Sequence, residues 1–286
     1  MRKLNKPDFD VKEIVSDCAE SIRNKEKKER IQNAAEKISE ESQKYDDLAS
    51  KAQISMIDEH SNVNGNVSTD EMVFLYEKKF VGKSEIKEKY YDKIMMLSNG
   101  KCPICDLGQV RNLDHYLPKT KYPTYSVTPY NLVPICRDCN FDKGDQSTTD
   151  TTKATFHPYY DETDNVIWLK AELIEENDGL IASYTVNCNV QDKMFLSRCE
   201  NHFKTHNLRN RYCIEAAREI ADNFVDWEKC ILTYGIEEFK IRINDKIQSF
   251  EAIYKNSWKV ALYRALLDNI DIVESIINKL NEEKSK

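Results

Sequence analysis

Apolar residues recur at helical spacing near the start of the chain. Val11, Ile14, Val15, Cys18, Ala19 and Ile22 fall about one turn apart, which predicts helix within residues 8–56. The charged run NKEKKERIQNAAEKISEESQKYDD keeps a thin apolar stripe at Ile31, Ala34, Ala35 and Ile38. That pattern predicts a long solvated helix or helical hairpin, and it offers a docking surface for another protein. Residues 58–68 read as a polar loop and a boundary. Ser68 and Glu71 form a capping box that starts a helix near residue 69, and Gly82 breaks it. A second helix follows over SEIKEKYYDKIMMLSNG, with Ile86, Tyr90, Ile94 and Leu97 on one face and Gly100 as its C-cap.

Further on, NVIWLKAELI and GLIASYTVNC alternate with period two and are joined through EENDG. They predict an antiparallel hairpin at about 165–188, with Asp178-Gly179 as its turn. Helices are expected over about 192–227, 235–256 and 257–281, with Trp168, Trp227 and Trp258 in the core. The fold class is therefore α+β. Three regions are expected: an N-terminal helical region over 1–60 suited to partner docking, a central domain over 69–190, and a C-terminal helical region over 191–286.

Composition agrees with a mostly helical chain. Of 286 residues, 7 are Gly and 7 are Pro, and 32% are charged. No apolar run approaches the roughly 18–20 residues that span a bilayer, so no membrane association is expected. The N-terminal MRKLNKPDFDVKEIV lacks the apolar core of a secretory signal. Nine cysteines, four of them in C-x-x-C pairs, fit a reducing cytoplasm and one zinc site better than a disulfide framework. The net charge of −7 leaves nucleic-acid affinity to local basic segments or to a partner. Two such segments stand out. Lys78 to Lys101 holds seven lysines against three acids, and Lys193 to Arg218 holds six basic residues against two. Each also reads as an ordinary solvated face.

The densest chemistry lies in CPICDLGQVRNLDHYLPKTKYPTYSVTPYNLVPICRDCN. Cys102 and Cys105 form one knuckle, and Cys136 and Cys139 form a second one thirty residues later. Four thiolates close a tetrahedral Zn²⁺ site with no open position, so the zinc is structural. A plain zinc ribbon has no need of Asp114-His115 between the knuckles or of Asn140 after them. Phosphodiester hydrolysis needs a base that works near neutral pH, which His115 can be. It also needs a divalent ion, and Asp114 and Asn140 offer oxygen ligands suited to Mg²⁺ or Mn²⁺. Neighbouring residues on a strand point to opposite sides, so Asp114 and His115 would need a bulge or loop to face one phosphate. Lys119, Lys121, Arg137 and Lys143 are candidates for holding phosphates. In FHPYYD, His157 is a candidate for a supporting or stacking role, and Tyr159 and Tyr160 for packing. Cys199, His202 and His206 share a helix face but lack a fourth ligand, and read as ordinary helix residues.

The pattern of knuckle, Asp-His, Asn-Leu, knuckle-Asn and Lys resembles HNH endonucleases, the ββα-metal finger, in the subtype with four flanking cysteines. The resemblance is carried by residues 100–145, within 69–190 as the nuclease domain. It implies His115 as general base, Asp114 as a ligand of the catalytic ion, Asn131 as the brace of the His-bearing loop, and Asn140 as a ligand at the third position. Many members carry His at that position, and Asn favours Mg²⁺ over zinc there. The longer wording, LDHYLPKxxYPxxSVxPxNLVPxCxxCNxxKGD followed by HPYYD, is similar to HNH proteins of bacterial anti-phage defence, such as the nuclease subunit of the Septu system. Those work beside an ATPase, so an ATPase partner is implied. The expectation is a cytoplasmic, metal-dependent DNA endonuclease that leaves 5′-phosphate and 3′-hydroxyl ends. The rivals are a non-catalytic zinc module that binds nucleic acid or protein, and a toxin-like RNase on the same finger.

Overall fold

Asp10 starts the first helix, α1 (Val11–Glu20), by accepting from the Lys12 and Glu13 amides. Asn24 caps α2 (Lys25–Ser50) in the same way, and the two helices make a hairpin. The structure, a computed structural model, describes residues 1–176 and 179–284. The chain divides into two units, Met1–Glu162 and Thr163–Lys286. The hairpin expected after the finger therefore lies with the C-terminal helices.

In the first unit the apolar stripe of α2 runs further than its aliphatic residues show. It continues from Ile31, Ala34 and Ile38 to Ser42, Tyr45 and Ala49, all buried. The expected polar loop holds a short hairpin, β1 (Asn62–Val63) with β2 (Val67–Ser68). Its turn is Asn64-Gly65, both at positive φ, with Val63 and Val67 buried on either side. The capping box is formed: the Ser68 side chain accepts from the Glu71 amide, and the Glu71 carboxylate accepts from the Ser68 amide. It opens α3 (Thr69–Phe74), which runs on as a π-turn through Phe80. Gly82 follows its end, where a Cβ would lie 2.7 Å from the Lys78 carbonyl oxygen, so the close turn needs glycine. Next come α4 (Ser84–Ile86), a π segment over Lys87–Tyr91, and α5 (Asp92–Met96). Ile14, Ile38, Phe80, Ile94, Leu113 and Leu132 share one buried core.

Strand β3 (Val110–His115) pairs antiparallel with β4 (Leu132–Cys136), setting His115 opposite Leu132. Helix α6 (Arg137–Lys143) follows at once, with Cys136 as its N-cap.

The second unit contains β5 (Leu169–Glu176) paired antiparallel with β6 (Gly179–Val186). Of the expected turn, residues 177 and 178 lie outside the described residues. Helices α7 (Lys193–Thr205), α8 (Leu208–Tyr234), α9 (Ile236–Glu251), α10 (Trp258–Asp268) and α11 (Ile270–Lys284) follow. Five helices thus stand where three were expected. Asn207, in the left-handed region at φ 47°, separates α7 from α8, and Asn269 separates α10 from α11. Buried Asn256 ties this unit together. Its carbonyl accepts from the Trp168 and Leu169 amides, and its amide donates to the Thr163 and Val166 carbonyls. Among the described residues no helix is long and apolar enough to cross a membrane.

Candidate functional site

The four cysteines of the two knuckles come together. Their sulfurs lie within 4.8 Å of one another, all buried. Cys105 Sγ and Cys136 Sγ are 3.8 Å apart. A tetrahedral ion with metal–sulfur bonds of about 2.3 Å needs edges of about 3.8 Å, so the set fits a structural metal such as zinc. Backbone amides point at the sulfurs, Gly108 at Cys105 and Cys139 at Cys136, which favours thiolate. The Cys136 sulfur therefore caps α6 as well as contributing to the cluster. Among the described residues this is the one group of three or more such donors. Cys199 and His202 are buried on the helix that ends at Thr205 and His206 is buried at its C-cap, with His202 edge-on to Trp168.

Strand β3 runs without a break through the Asp-His pair. Its irregularity falls between Val110 and Asn112, so the bulge expected at the pair is absent and the two residues alternate in burial. His115 faces the core. Its ring lies edge-on to Tyr76 at 4.4 Å, and Nε2 is 2.8 Å from the Ser126 carbonyl oxygen. A carbonyl only accepts, so Nε2 carries the proton and Nδ1 keeps its lone pair. Burial drives the His115 pKa down from 6.5 to about 3. The Ser126 carbonyl opposes this shift, and the positive charges of Lys119 and Lys143 add to it. The imidazole is neutral at physiological pH.

Asp114 lies on the other side of the strand, beneath α6. Its Oδ2 is 2.8 Å from the Lys143 ammonium, which also donates to the His115 carbonyl at 2.8 Å. Lys143 is thus a buried ion-pair partner rather than a surface cation. Asn140 stands one turn earlier on the same helix face, and its side chain makes no hydrogen bond among the described residues.

Asn131 is fully buried and uses all of its hydrogen-bonding capacity. Its carbonyl oxygen accepts from the Leu117 amide at 2.7 Å and from the Tyr45 hydroxyl at 3.2 Å. Its amide donates to the Leu117 and Tyr125 carbonyls. The loop after His115 is therefore pinned by one side chain. His157 Nδ1 accepts from the Tyr159 amide, so Nε2 donates to the Tyr45 hydroxyl at 3.1 Å. The Tyr159 hydroxyl donates to the Leu132 carbonyl, and the Ser42 and Thr128 hydroxyls meet at 2.7 Å. Asn131→Asp keeps the shape but turns a carboxylate oxygen toward two carbonyls. It is expected to cost about 3 kcal/mol or more in urea unfolding, no less than Asn131→Ala. A loss under about 1 kcal/mol would show that the loop is held by other contacts.

The remaining cationic candidates differ in setting. Lys119 lies over the Tyr76 ring and near Glu77. Lys121 reaches Glu59 and Ser147. Arg137 is exposed on α6, as is Phe141, which is 85% exposed and has no counterpart in the sequence-based site. In the basic segment from Lys78 to Lys101, Lys89 pairs with Glu13 and Asp17, Lys87 with Asp92 and Lys101 with Asp106, which reduces the free charge of that stripe. In the second segment Arg198 is buried. Sequence reasoning also missed Tyr45, Ser42, Tyr76 and Ser126. For the first three, the signal was their place in helical apolar stripes.

No family model matches the chain, and no solved structure matches it. Two relatives place it by sequence. Protein ea31 of Escherichia phage lambda is 29% identical over 299 aligned residues, covering 96% of this chain and all of the phage protein. Septu protein PtuB of Bacillus thuringiensis is 30% identical over 146 residues, covering 48% of this chain and 54% of the Septu protein. The chain is a partial relative of a Septu protein and carries a buried four-cysteine cluster fit for a structural metal.

Proposed function

We propose that the first unit is an HNH-type ββα-metal finger that hydrolyses DNA phosphodiester bonds, and that it acts in anti-phage defence beside an ATPase partner. The observation that carries the reading is His115. It is a neutral imidazole oriented by the Ser126 carbonyl, which leaves the lone pair on Nδ1, at the end of a strand that also bears Asp114. The partial likeness to Septu protein PtuB supports the defence setting.

In this reading Nδ1 takes a proton from water, and the oxygen attacks phosphorus. The 3′-oxygen leaves and takes a proton from solvent, giving 5′-phosphate and 3′-hydroxyl ends. Asp114 and Asn140 would hold a Mg²⁺ or Mn²⁺ ion, which would supply positive charge to stabilise the transition state. Asn131 keeps the His-bearing loop in place. The exposed Arg137 and Phe141 offer a cation and a ring to the substrate strand. The four-cysteine cluster anchors the finger and takes no part in the chemistry. The test is incubation of zinc-loaded protein with supercoiled plasmid, and separately with RNA, in Mg²⁺ or EDTA. Mg²⁺-dependent nicking of DNA supports the proposal, and cleavage confined to RNA replaces it with the RNase reading.

Two observations favour the non-catalytic rival: with no bulge at the pair, His115 is buried on the side of β3 opposite Asp114, and Lys143 already neutralises Asp114. Removing Lys143 separates the two readings. Titration of Mn²⁺ into His115→Ala/Lys143→Met, compared by calorimetry with His115→Ala, is expected to show about tenfold tighter binding, since the ammonium and the ion compete for one carboxylate. Unchanged or weaker binding would remove Asp114 from the ligand set.

A further inference from the structure

Helix α8 buries one face and exposes apolar residues on the other. The inner one, which includes Tyr212, Ala216, Ile220, Trp227 and Ile231, is buried in the second unit. The outer one carries Ile214, Arg218, Ala221, Val225, Glu228 and Leu232. These six lie within an arc of about 80° at 100° per residue. Ile214, Val225 and Leu232 are 46%, 73% and 45% exposed, and Ala221 and Arg218 are exposed beside them. A surface helix has no use for an apolar stripe opposite its core face unless something covers it.

The spacing says what covers it. The six positions alternate steps of four and three residues, the seam of a coiled coil. The seam is also symmetric about position 223. Ile214 and Leu232 are equidistant from that level, as are Arg218 and Glu228, and Ala221 and Val225. We propose that α8 pairs antiparallel with α8 of a second copy of this chain, about a two-fold axis at residue 223. Ile214 then meets Leu232 of the second copy, Ala221 meets Val225, and Arg218 meets Glu228, each contact occurring twice. The small Ala221 beside the axis allows close approach.

Charge selects this arrangement over the alternatives. A parallel pair would set Arg218 on Arg218 and Glu228 on Glu228, a like-charge clash in both layers. Arg218, 69% exposed, now pairs with Glu215 on its own helix, and half-buried Glu228 has contacts of its own, so both exchange partners when the copies pair. The seam is about 27 Å long. One helix pair of that length is small for a stable interface, so dissociation in the micromolar range is expected. The dimer does not depend on the finger's chemistry.

Sedimentation velocity of the full-length, zinc-loaded protein over about 1–200 µM is the test. The wild type is expected to pass from monomer to dimer. Arg218→Glu alone and Glu228→Arg alone should each weaken the dimer at least about tenfold, and the double reversal should restore it to within about threefold. Val225→Asp, at a site away from the core, should be monomeric with an unchanged melting temperature. A wild type that stays monomeric throughout, single reversals without effect, or a double reversal without rescue would each overturn the proposal.

Discussion

His115→Ala is expected to abolish Mg²⁺-dependent plasmid nicking, with a loss of roughly 10²- to 10⁴-fold, the range for removing a general base. The Ser126 carbonyl holds the ring proton on Nε2, so in this reading Nδ1 is the nitrogen that takes the proton from water. His157 does not take its place, being committed through both nitrogens, to Tyr45 and to the Tyr159 amide. Alanine also leaves a cavity against Tyr76, so His115→Gln, which refills the space, is the companion variant. Bound zinc and circular dichroism should match the wild type for both. Retention of more than a tenth of the wild-type rate in either variant would take His115 out of the base role. A folded, zinc-loaded wild type that cleaves nothing, with or without an ATPase partner, would leave the binding-module reading in its place.

Loss of the metal should have the largest effect on stability. Binding at a four-thiolate site amounts to about 10–16 kcal/mol in isolated fingers, which exceeds the whole stability of most domains. Here the cluster joins segments far apart in sequence. Cys102 and Cys105 precede β3, Cys136 ends β4 and caps α6, and the Arg2 amide bonds to the Pro103 carbonyl inside the first knuckle. A strong chelator, or Cys139→Ser, is expected to release one zinc per chain and to expose the amides of residues 102–145 to hydrogen exchange. The β5–β6 hairpin, stitched by Asn256 in the other unit, should keep its protection. Unchanged exchange over 102–145 in metal-free protein would mean that packing alone holds the finger.

The elements easiest to read were those whose cause is local. The Ser68–Glu71 capping box and the alternation of β5 and β6 each depend on neighbours a few residues away. The Asn64-Gly65 hairpin was equally local, yet its strands are two residues each and vanish in a polar stretch. The breaks at Asn207 and Asn269 interrupt runs whose apolar period continues across them, so periodicity alone joined the helices. At the site, the four cysteines and the Asp-His pair announce themselves by type and spacing. Ser126 does not, because it acts through a backbone carbonyl that any residue would supply. Tyr45 and Ser42 looked polar until their hydroxyls found Asn131 and Thr128, each 86 residues later. Lys143 looked like a surface cation for the same reason: its partner Asp114 lies on another element.

The brace around Asn131 also bears on how the protein is made. It draws on Tyr45, on the loop from Leu117 to Tyr125, and on His157 and Tyr159. A ribosome delivers these parts in order, and the last arrives well after the Asp-His pair and all four cysteines. The Arg2 and Leu4 amides likewise wait for Pro103 and Pro158. A chain halted before residue 157 could already form the four Asn131 bonds but would lack those of His157 and Tyr159 to Tyr45 and Leu132. The brace therefore assembles in two stages, the Asn131 bonds from the first 131 residues and the His157 and Tyr159 bonds only later.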